Sequence, residues 1–282
     1  MLQLVLAAPR SGSGKTMLLY QRIRARAEKG EKSILLVPEQ FTSSTEGRIY
    51  RELGDALSGM VESFSFTSLA EKILSTEGGA AVQTLSDAGR AVLVRRALEE
   101  LQDNVHYYHR HRRSAAFCQM AAQTIDELKS AGLSGQQLAQ LAGACGAESG
   151  KLSELALIFQ GYETLLARSG MDPSDRLELA GARLEEALAR HSLPEFLRDR
   201  AVFIDEFDTF NAPKKRLLGA MLAALPSVTV ALCDDGAPLL PGDLSLFSGA
   251  KQVAAQLRQL ARKNGAEVAV PELLRKDLRH QD

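Results

Sequence analysis

The spacing of apolar residues changes period twice along the chain. LQLVLAA (Leu2 to Ala8) is a short apolar run stopped by Pro9 and the glycines behind it, and Met17, Leu18, Leu19 and Ile23 then recur at helical spacing. The pattern predicts strand, loop and helix, with Lys29 and Gly30 as the helix stop. SILLVP (Ser33 to Pro38) predicts a second buried strand, after which Thr42 can cap a helix through Leu53. Such a βαβ unit implies a right-handed parallel crossover. Met60 to Phe64 predicts a third strand leading into SFTSLAEKIL, where Ser65 or Thr67 suits the N-cap of a short helix.

From about Leu85 to Arg198 the strand signal vanishes. LSDAGRAVLVRRALEELQ, AAFCQMAAQTIDELKSAG, KLSELALIFQGYETLLARSG and DPSDRLELAGARLEEALARH each carry apolar residues at helical spacing, with Gly or Pro between them. The stripe Leu152, Leu155, Ala156, Phe159, Tyr162 and Leu166 reads as core. Strands then return at AVFIDE (Ala201 to Glu206), VTVALCD (Val228 to Asp234) and AEVAV (Ala266 to Val270), with helices at Lys214 to Leu225 and Gly249 to Asn264. The expected architecture is α/β, a parallel sheet flanked by helices that, with GSGKT (Gly12 to Thr16) between its first strand and first helix, is of P-loop NTPase type, formed by residues 1–80 and 200–282 and interrupted by an all-helical insertion at 81–199.

Composition narrows the class. Over 282 residues, 45% hydrophobic and 24% charged residues leave no signature of disorder, collagen or coiled coil. The 34 Lys and Arg against 35 Asp and Glu give a net charge of -1, so any polyanion site must be local. No apolar run is long enough to span a membrane, and MLQLVLAAPR lacks the basic start of a signal peptide, so a cytoplasmic protein is expected. Cys118, Cys145 and Cys233 are odd in number and far apart, which argues against a disulfide framework and against a zinc or iron-sulfur site.

Two segments carry chemistry. PRSGSGKT (Pro9 to Thr16) lies between the first strand and the first helix, where a phosphate-binding loop belongs. Ser11, Gly12, Ser13 and Gly14 would turn backbone N–H groups toward phosphate oxygens, Lys15 would reach the terminal phosphates of ATP, and Thr16 would ligate Mg²⁺. Pro9 departs from the pattern GxxxxGK[ST] at its first position, and proline removes a donor and fixes φ there. VFIDEF (Val202 to Phe207) places two carboxylates at the carboxyl end of a buried strand, where open α/β sheets bind ligands. Asp205 would hold Mg²⁺, through water, and Glu206 would orient or deprotonate an attacking water. VHYYHRHRRS (Val105 to Ser114) is the densest basic and aromatic cluster, with Arg110, Arg112 and Arg113 for phosphates and Tyr107 and Tyr108 for stacking; a solvated interhelical loop explains it as well.

PRSGSGKT, LLVPEQFTSSTEG, SFSFTSLAEKILSTEGG and VFIDEFDTFNAPKKRLL, in this order, resemble the N-terminal part of the AddB family, the B subunit of the bacterial ATP-dependent helicase-nuclease that processes DNA double-strand ends. LSDAGRAVLVRRALEE, LSELALIFQGYETLL and LFSGAKQVAAQLRQLARKNG resemble the family's intervening stretches, so the similarity covers nearly the whole chain. It implies a superfamily 1 motor-like domain with the helical insertion as an accessory subdomain, and ATP and Mg²⁺ at Lys15 and Thr16. It also implies that Glu39, Gln40, Thr42 and Phe66 face single-stranded DNA and that the partner is the A subunit in a heterodimer, with recombinational repair as the role.

The same resemblance implies that the chain is a fragment ending in LRKDLRHQD, without the second motor-like domain, the nuclease domain or its iron-sulfur cluster, and with little helicase or nuclease activity alone. In some relatives the DNA groove reads the regulatory sequence Chi; Ser68 and Glu71 supply neither a cation nor a ring there. Many members carry Gly where this chain has Glu206, and DEF is the form found in hydrolytically active helicases, whereas VTVALCDDGAP lacks the GDxxQ pattern of those motors. Two other classes remain open: a structural DNA-guiding module with a vestigial nucleotide site, and a free-standing P-loop ATPase or kinase.

Overall fold

The computed structural model describes residues 1–7, 13–146 and 149–274. Among these, six strands, β1 (Leu2–Ala7), β2 (Ser33–Leu36), β3 (Val61–Phe64), β4 (Ala201–Ile204), β5 (Ser227–Leu232) and β6 (Glu272–Leu274), form one sheet in the order β3-β2-β4-β5-β1-β6. Every pairing is parallel. The helices are α1 (Lys15–Ala27), α2 (Thr42–Leu53), α3 (Asp55–Ser58), α4 (Phe66–Glu77), α5 (Asp87–Glu100), α6 (Ala115–Ser130), α7 (Gly135–Ala142), α8 (Ser149–Ser169), α9 (Pro173–Ala189), α10 (Ala212–Ala224) and α11 (Ser248–Lys263). The chain divides into two compact units, one of Met1–Gly78, Ala180–Phe210 and Lys214–Asp282, the other of Gly79–Leu179 and Asn211–Pro213.

The first unit is α/β. Parallel strands covered on both faces read as continuous apolar runs rather than alternating ones, which is why LQLVLA, SILL and AVFI were legible as strands. On one face Val5, Leu35, Phe203 and Ala231 pack with Leu19, Tyr20 and Ile23 of α1 and with Ile49 and Leu53 of α2. The alternate residues Leu4, Ile34, Val202, Ile204, Val228 and Val230 are equally buried.

Two local expectations are corrected. Thr42 is not an N-cap: Glu39–Phe41 already form a 3₁₀ turn, so the Thr42 hydroxyl donates back to the Glu39 carbonyl at 3.1 Å instead of accepting from the helix. Ser65, by contrast, caps α4 in a reciprocal box with Ser68. The strand expected at Ala266 to Val270 is a single bridge at Val268, and the paired strand is β6. Leu2 N–H donates to Glu267 O and Ala269 N–H to Leu2 O, so the next donor in that ladder would be the nitrogen of Pro271, which carries no hydrogen. The ladder breaks there, and the register moves from Leu2 opposite Val268 to Val5 opposite Glu272, one residue out of step.

The second unit is all helical. Val94, Ala97 and Leu98 of α5, Ala122 and Ile125 of α6, Leu138 of α7 and Ala156, Phe159, Tyr162 and Leu166 of α8 share one core, so most of the α8 stripe is buried as expected. The helix α7 was not expected; its box of Ser134 and Gln137 was the available signal. Its start lies close against α8: a Cβ on Gly135 would sit 2.7 Å from Gln160 Cγ and 2.9 Å from its backbone nitrogen. Buried Asp172 accepts from Tyr162 Oη at 2.5 Å and from Lys129 Nζ at 2.7 Å, which gives this core a satisfied polar centre.

Candidate nucleotide site

Parallel α/β sheets present their ligand-binding groups at the carboxyl ends of the strands. Here β1 and β4 flank β5, and the Asp234 N–H bonds the Ala7 carbonyl to close β5 onto β1. Gly14 stands at the N-cap of α1 with φ 88°, a left-handed conformation that glycine adopts without steric cost. Lys15 and Thr16 are therefore the first residues of α1, where unpaired N–H groups and the helix dipole favour an anion. Ser13 is buried beside them. Pro9, Ser11 and Gly12 lie outside the described residues.

From the other side, the Asp205 N–H donates to Leu36 O at 3.1 Å, which fixes Asp205 just past β4 and 2% exposed. Its Oδ2 accepts from Thr16 Oγ1 at 2.5 Å, and its Oδ1 accepts the Glu206 N–H at 3.0 Å and lies 3.5 Å from Lys15 Nζ. Glu206 Oε1 is 3.7 Å from the same ammonium and 3.4 Å from Thr16 Oγ1. Burial alone would lower the Lys15 pKa, but Asp205, then Cys233 and Glu206, outweigh it and hold it above the ordinary lysine value. Glu206 has φ 63°, a left-handed conformation that costs a non-glycine residue about 1 to 2 kcal/mol.

A cleft of about 360 Å³ opens beside these groups. Thr16, Asp205 and Glu206 form one wall, and Arg48 and Arg51 of α2 face into it with Tyr20. The Arg48 guanidinium lies 5.1 Å from the centre of the Tyr20 ring; burial pushes the Tyr20 hydroxyl up to about 12 despite that cation. Sequence reading passed over Arg48 and Arg51 because on a helix with mean polar character they look like solvated charges.

The loop after β2 is the second feature of this unit. Glu39 and Gln40 are exposed and Thr42 partly so, with Phe41 presenting a ring 39% exposed among them. Thr67 Oγ1 donates to Glu39 Oε1 at 2.8 Å; that bond, a backbone N–H and the Lys214 charge outweigh burial and hold the Glu39 carboxyl below its ordinary value. Phe66 does not face outward with them. It is 1% exposed, its ring edge-on to Phe207 at 5.2 Å and Phe210 at 6.0 Å, because the capped start of α4 turns it inward onto the segment after Asp205. The expectation of an exposed Phe66 is corrected accordingly; Phe41 is the ring that the loop exposes.

The family model described as ADDB, N-terminal, matches residues 6–282. The chain belongs to the AddB N-terminal family. Among its relatives, each named as the B subunit of an ATP-dependent helicase/deoxyribonuclease, the protein of Desulforudis audaxviator is 34% identical over 93% of this chain and 23% of its own length. That of Moorella thermoacetica is 33% identical over 95% and 24%, and that of Anoxybacillus flavithermus 32% identical over 96% and 24%. The chain thus spans about a quarter of the length of these AddB relatives.

Among the described residues no group of three or more His, Cys, Asp or Glu could hold a metal ion by itself, so a cation here would depend on Thr16, Asp205 and oxygens brought by a ligand. Cys118 is buried, Cys145 and Cys233 are exposed, and all three are free thiols. No helix among the described residues is long and apolar enough to cross a membrane.

Proposed function

We propose that this chain is the nucleotide-binding, DNA-engaging N-terminal region of the B subunit of a helicase-nuclease that processes DNA double-strand ends for recombinational repair, working in the cytoplasm with an A subunit. What carries the reading is the convergence of Lys15 and Thr16 with Asp205 and Glu206 at the carboxyl edge of a parallel sheet, across 189 positions of sequence. The donor set suits Mg²⁺-ATP: a hydroxyl and a buried carboxylate are hard oxygen ligands, and a half-buried ammonium at a helix N-terminus suits terminal phosphates. When bound, Mg²⁺ supplies neutralisation of the charge that develops on the phosphates.

The residues divide the work. Lys15 pairs with the terminal phosphates in place of Asp205 and Glu206, Thr16 and Asp205 hold the cation, and Glu206 Oε1 orients a water and takes its proton. The exposed surface of Glu39, Gln40, Phe41 and Thr42 guides single-stranded DNA. The relatives' length beyond the matched quarter leaves room for the second motor-like and nuclease domains, so turnover by this chain alone should be slow. Melting in the presence of Mg²⁺-ATP tests the reading: a ligand at about 100 times its Kd stabilises the fold by about 2.7 kcal/mol. No rise in melting temperature at saturating nucleotide would overturn it.

A further inference from the structure

The basic segment Val105 to Ser114 joins α5 to α6 in the helical unit, which holds none of the functional residues assigned above. From Asn104 to Ile125 the chain contains no Asp or Glu, while positions 106–113 hold His106, His109, Arg110, His111, Arg112 and Arg113. A charge run of this kind is ordinarily a mobile solvated loop. This one is held.

The holding group is Glu154 of α8, 6% exposed. Its carboxylate accepts three successive amides: His106 N–H at 2.7 Å, Tyr107 N–H at 2.9 Å and Tyr108 N–H at 3.2 Å. Val105 is fully buried just before them. Further along, the rings of Tyr108 and His111 both stack on Phe117, at 5.5 and 5.4 Å, and Arg112 bonds the His109 ring. These contacts consume Tyr108, His109, His111 and Arg112 as internal struts. They leave Tyr107, 52% exposed, and the exposed Arg110 and Arg113, neither of which makes an ion pair among the described residues. Tyr107 is braced from behind, since a Cβ on Gly150 would lie 3.1 Å from its ring.

Two exposed guanidiniums within six residues of an exposed tyrosine, on a loop whose backbone is held, have a chemical meaning. Guanidinium forks match phosphate oxygens in a bidentate way, and an aromatic face stacks on any unpaired base. Because the loop is already ordered, little entropy is lost when a ligand binds it. Val105 is fully buried and Phe117 packs, partly buried, against the helical core.

We infer that residues 106–113 form a second nucleic-acid contact, in which Arg110 and Arg113 grip the phosphates of a single strand and Tyr107 stacks on one of its bases. The choice of DNA as the polyanion rests on the function proposed above; the site itself rests on the loop.

The test is fluorescence anisotropy of the whole chain with a labelled oligothymidylate and with a duplex of the same length, between about 50 and 200 mM salt. Each lost phosphate contact removes about 0.7 from the slope of log K against log salt, so Arg110→Gln with Arg113→Gln should flatten it by about 1.4 and weaken binding at low salt. Tyr107→Ala should weaken binding about tenfold with the slope unchanged. All three positions are exposed, so the melting temperature should hold. Variants that keep the affinity and slope of the unaltered protein would overturn this inference; if Gln40→Ala with Phe41→Ala still weakened binding, the proposed function would stand without it. A preference for the duplex would overturn the single-strand assignment, and no binding by the unaltered chain would overturn both readings.

Discussion

The Thr16 hydroxyl donates to Asp205 Oδ2 at 2.5 Å, although 189 positions separate the two residues. That contact ties the first turn of α1 to the end of β4, and it brings together the two oxygen ligands that a phosphate-bound cation would need. Lys15 lies 3.5 Å from the same carboxylate and 3.7 Å from that of Glu206, so the two acidic side chains share one ammonium.

If Thr16 serves the cation, Thr16→Ala should reduce nucleotide affinity at least tenfold with Mg²⁺ and little without it, while Thr16→Ser retains the wild-type value. The loss of one hydrogen bond should cost the fold only about 1 kcal/mol. Calorimetry with and without Mg²⁺ checks both; equal losses in the two conditions would mean that the hydroxyl does not meet the cation.

Lys15 gives a prediction about pH. Its pKa is raised in the folded protein, so its stabilisation is fully present below the unfolded value of about 10.4 and fades as pH rises through the higher folded value. The stability gap between wild type and Lys15→Met should therefore be constant from neutral pH to about pH 10 and shrink above it. Denaturant melts of the pair across that range provide the measurement. A gap that closes below pH 9 would contradict the ion-pair geometry.

Glu206 occupies a left-handed conformation that glycine would take without strain. Glu206→Gly should raise stability by up to about 1 kcal/mol, the steric relief exceeding the gain in unfolded-chain entropy. Thermal unfolding reports this; a fall in melting temperature would show that the carboxylate contributes more to the fold than the strain costs. In the assembled enzyme, Glu206→Gln should slow ATP hydrolysis without weakening ATP binding.

The sheet was legible because its strands are buried on both faces and its turns carry Gly and Pro; the meeting of Lys15 and Thr16 with Asp205 and Glu206 was legible because both motifs fall after apolar strand runs. What escaped was set by tertiary partners. Phe66 looks like a surface ring until Phe207 and Phe210 are seen behind it, and Thr42 looks like a cap until the Glu39 turn is seen before it. The one-residue slip at Pro271 is written in the sequence, but only the ladder shows which donor is missing. Glu154 carried no signal at all, since its three amide partners lie 46 to 48 positions away.

Removing that carboxylate should be costly. Glu154→Ala leaves three amides without their acceptor, and a destabilisation of about 2 to 4 kcal/mol is expected. Hydrogen exchange at His106, Tyr107 and Tyr108 should accelerate well beyond the change at other amides of the helical unit. Unchanged protection at those three would show that the loop is held by its aromatic contacts alone.

The central claim is a working nucleotide site built by Lys15, Thr16, Asp205 and Glu206, and calorimetric titration with Mg²⁺-ATP and with a slowly hydrolysed analogue tests it most directly. Saturable binding near one nucleotide per chain, abolished in a folded Lys15→Ala variant, is the predicted result. Absence of binding by the unaltered chain, or equal binding by the variant, would contradict it.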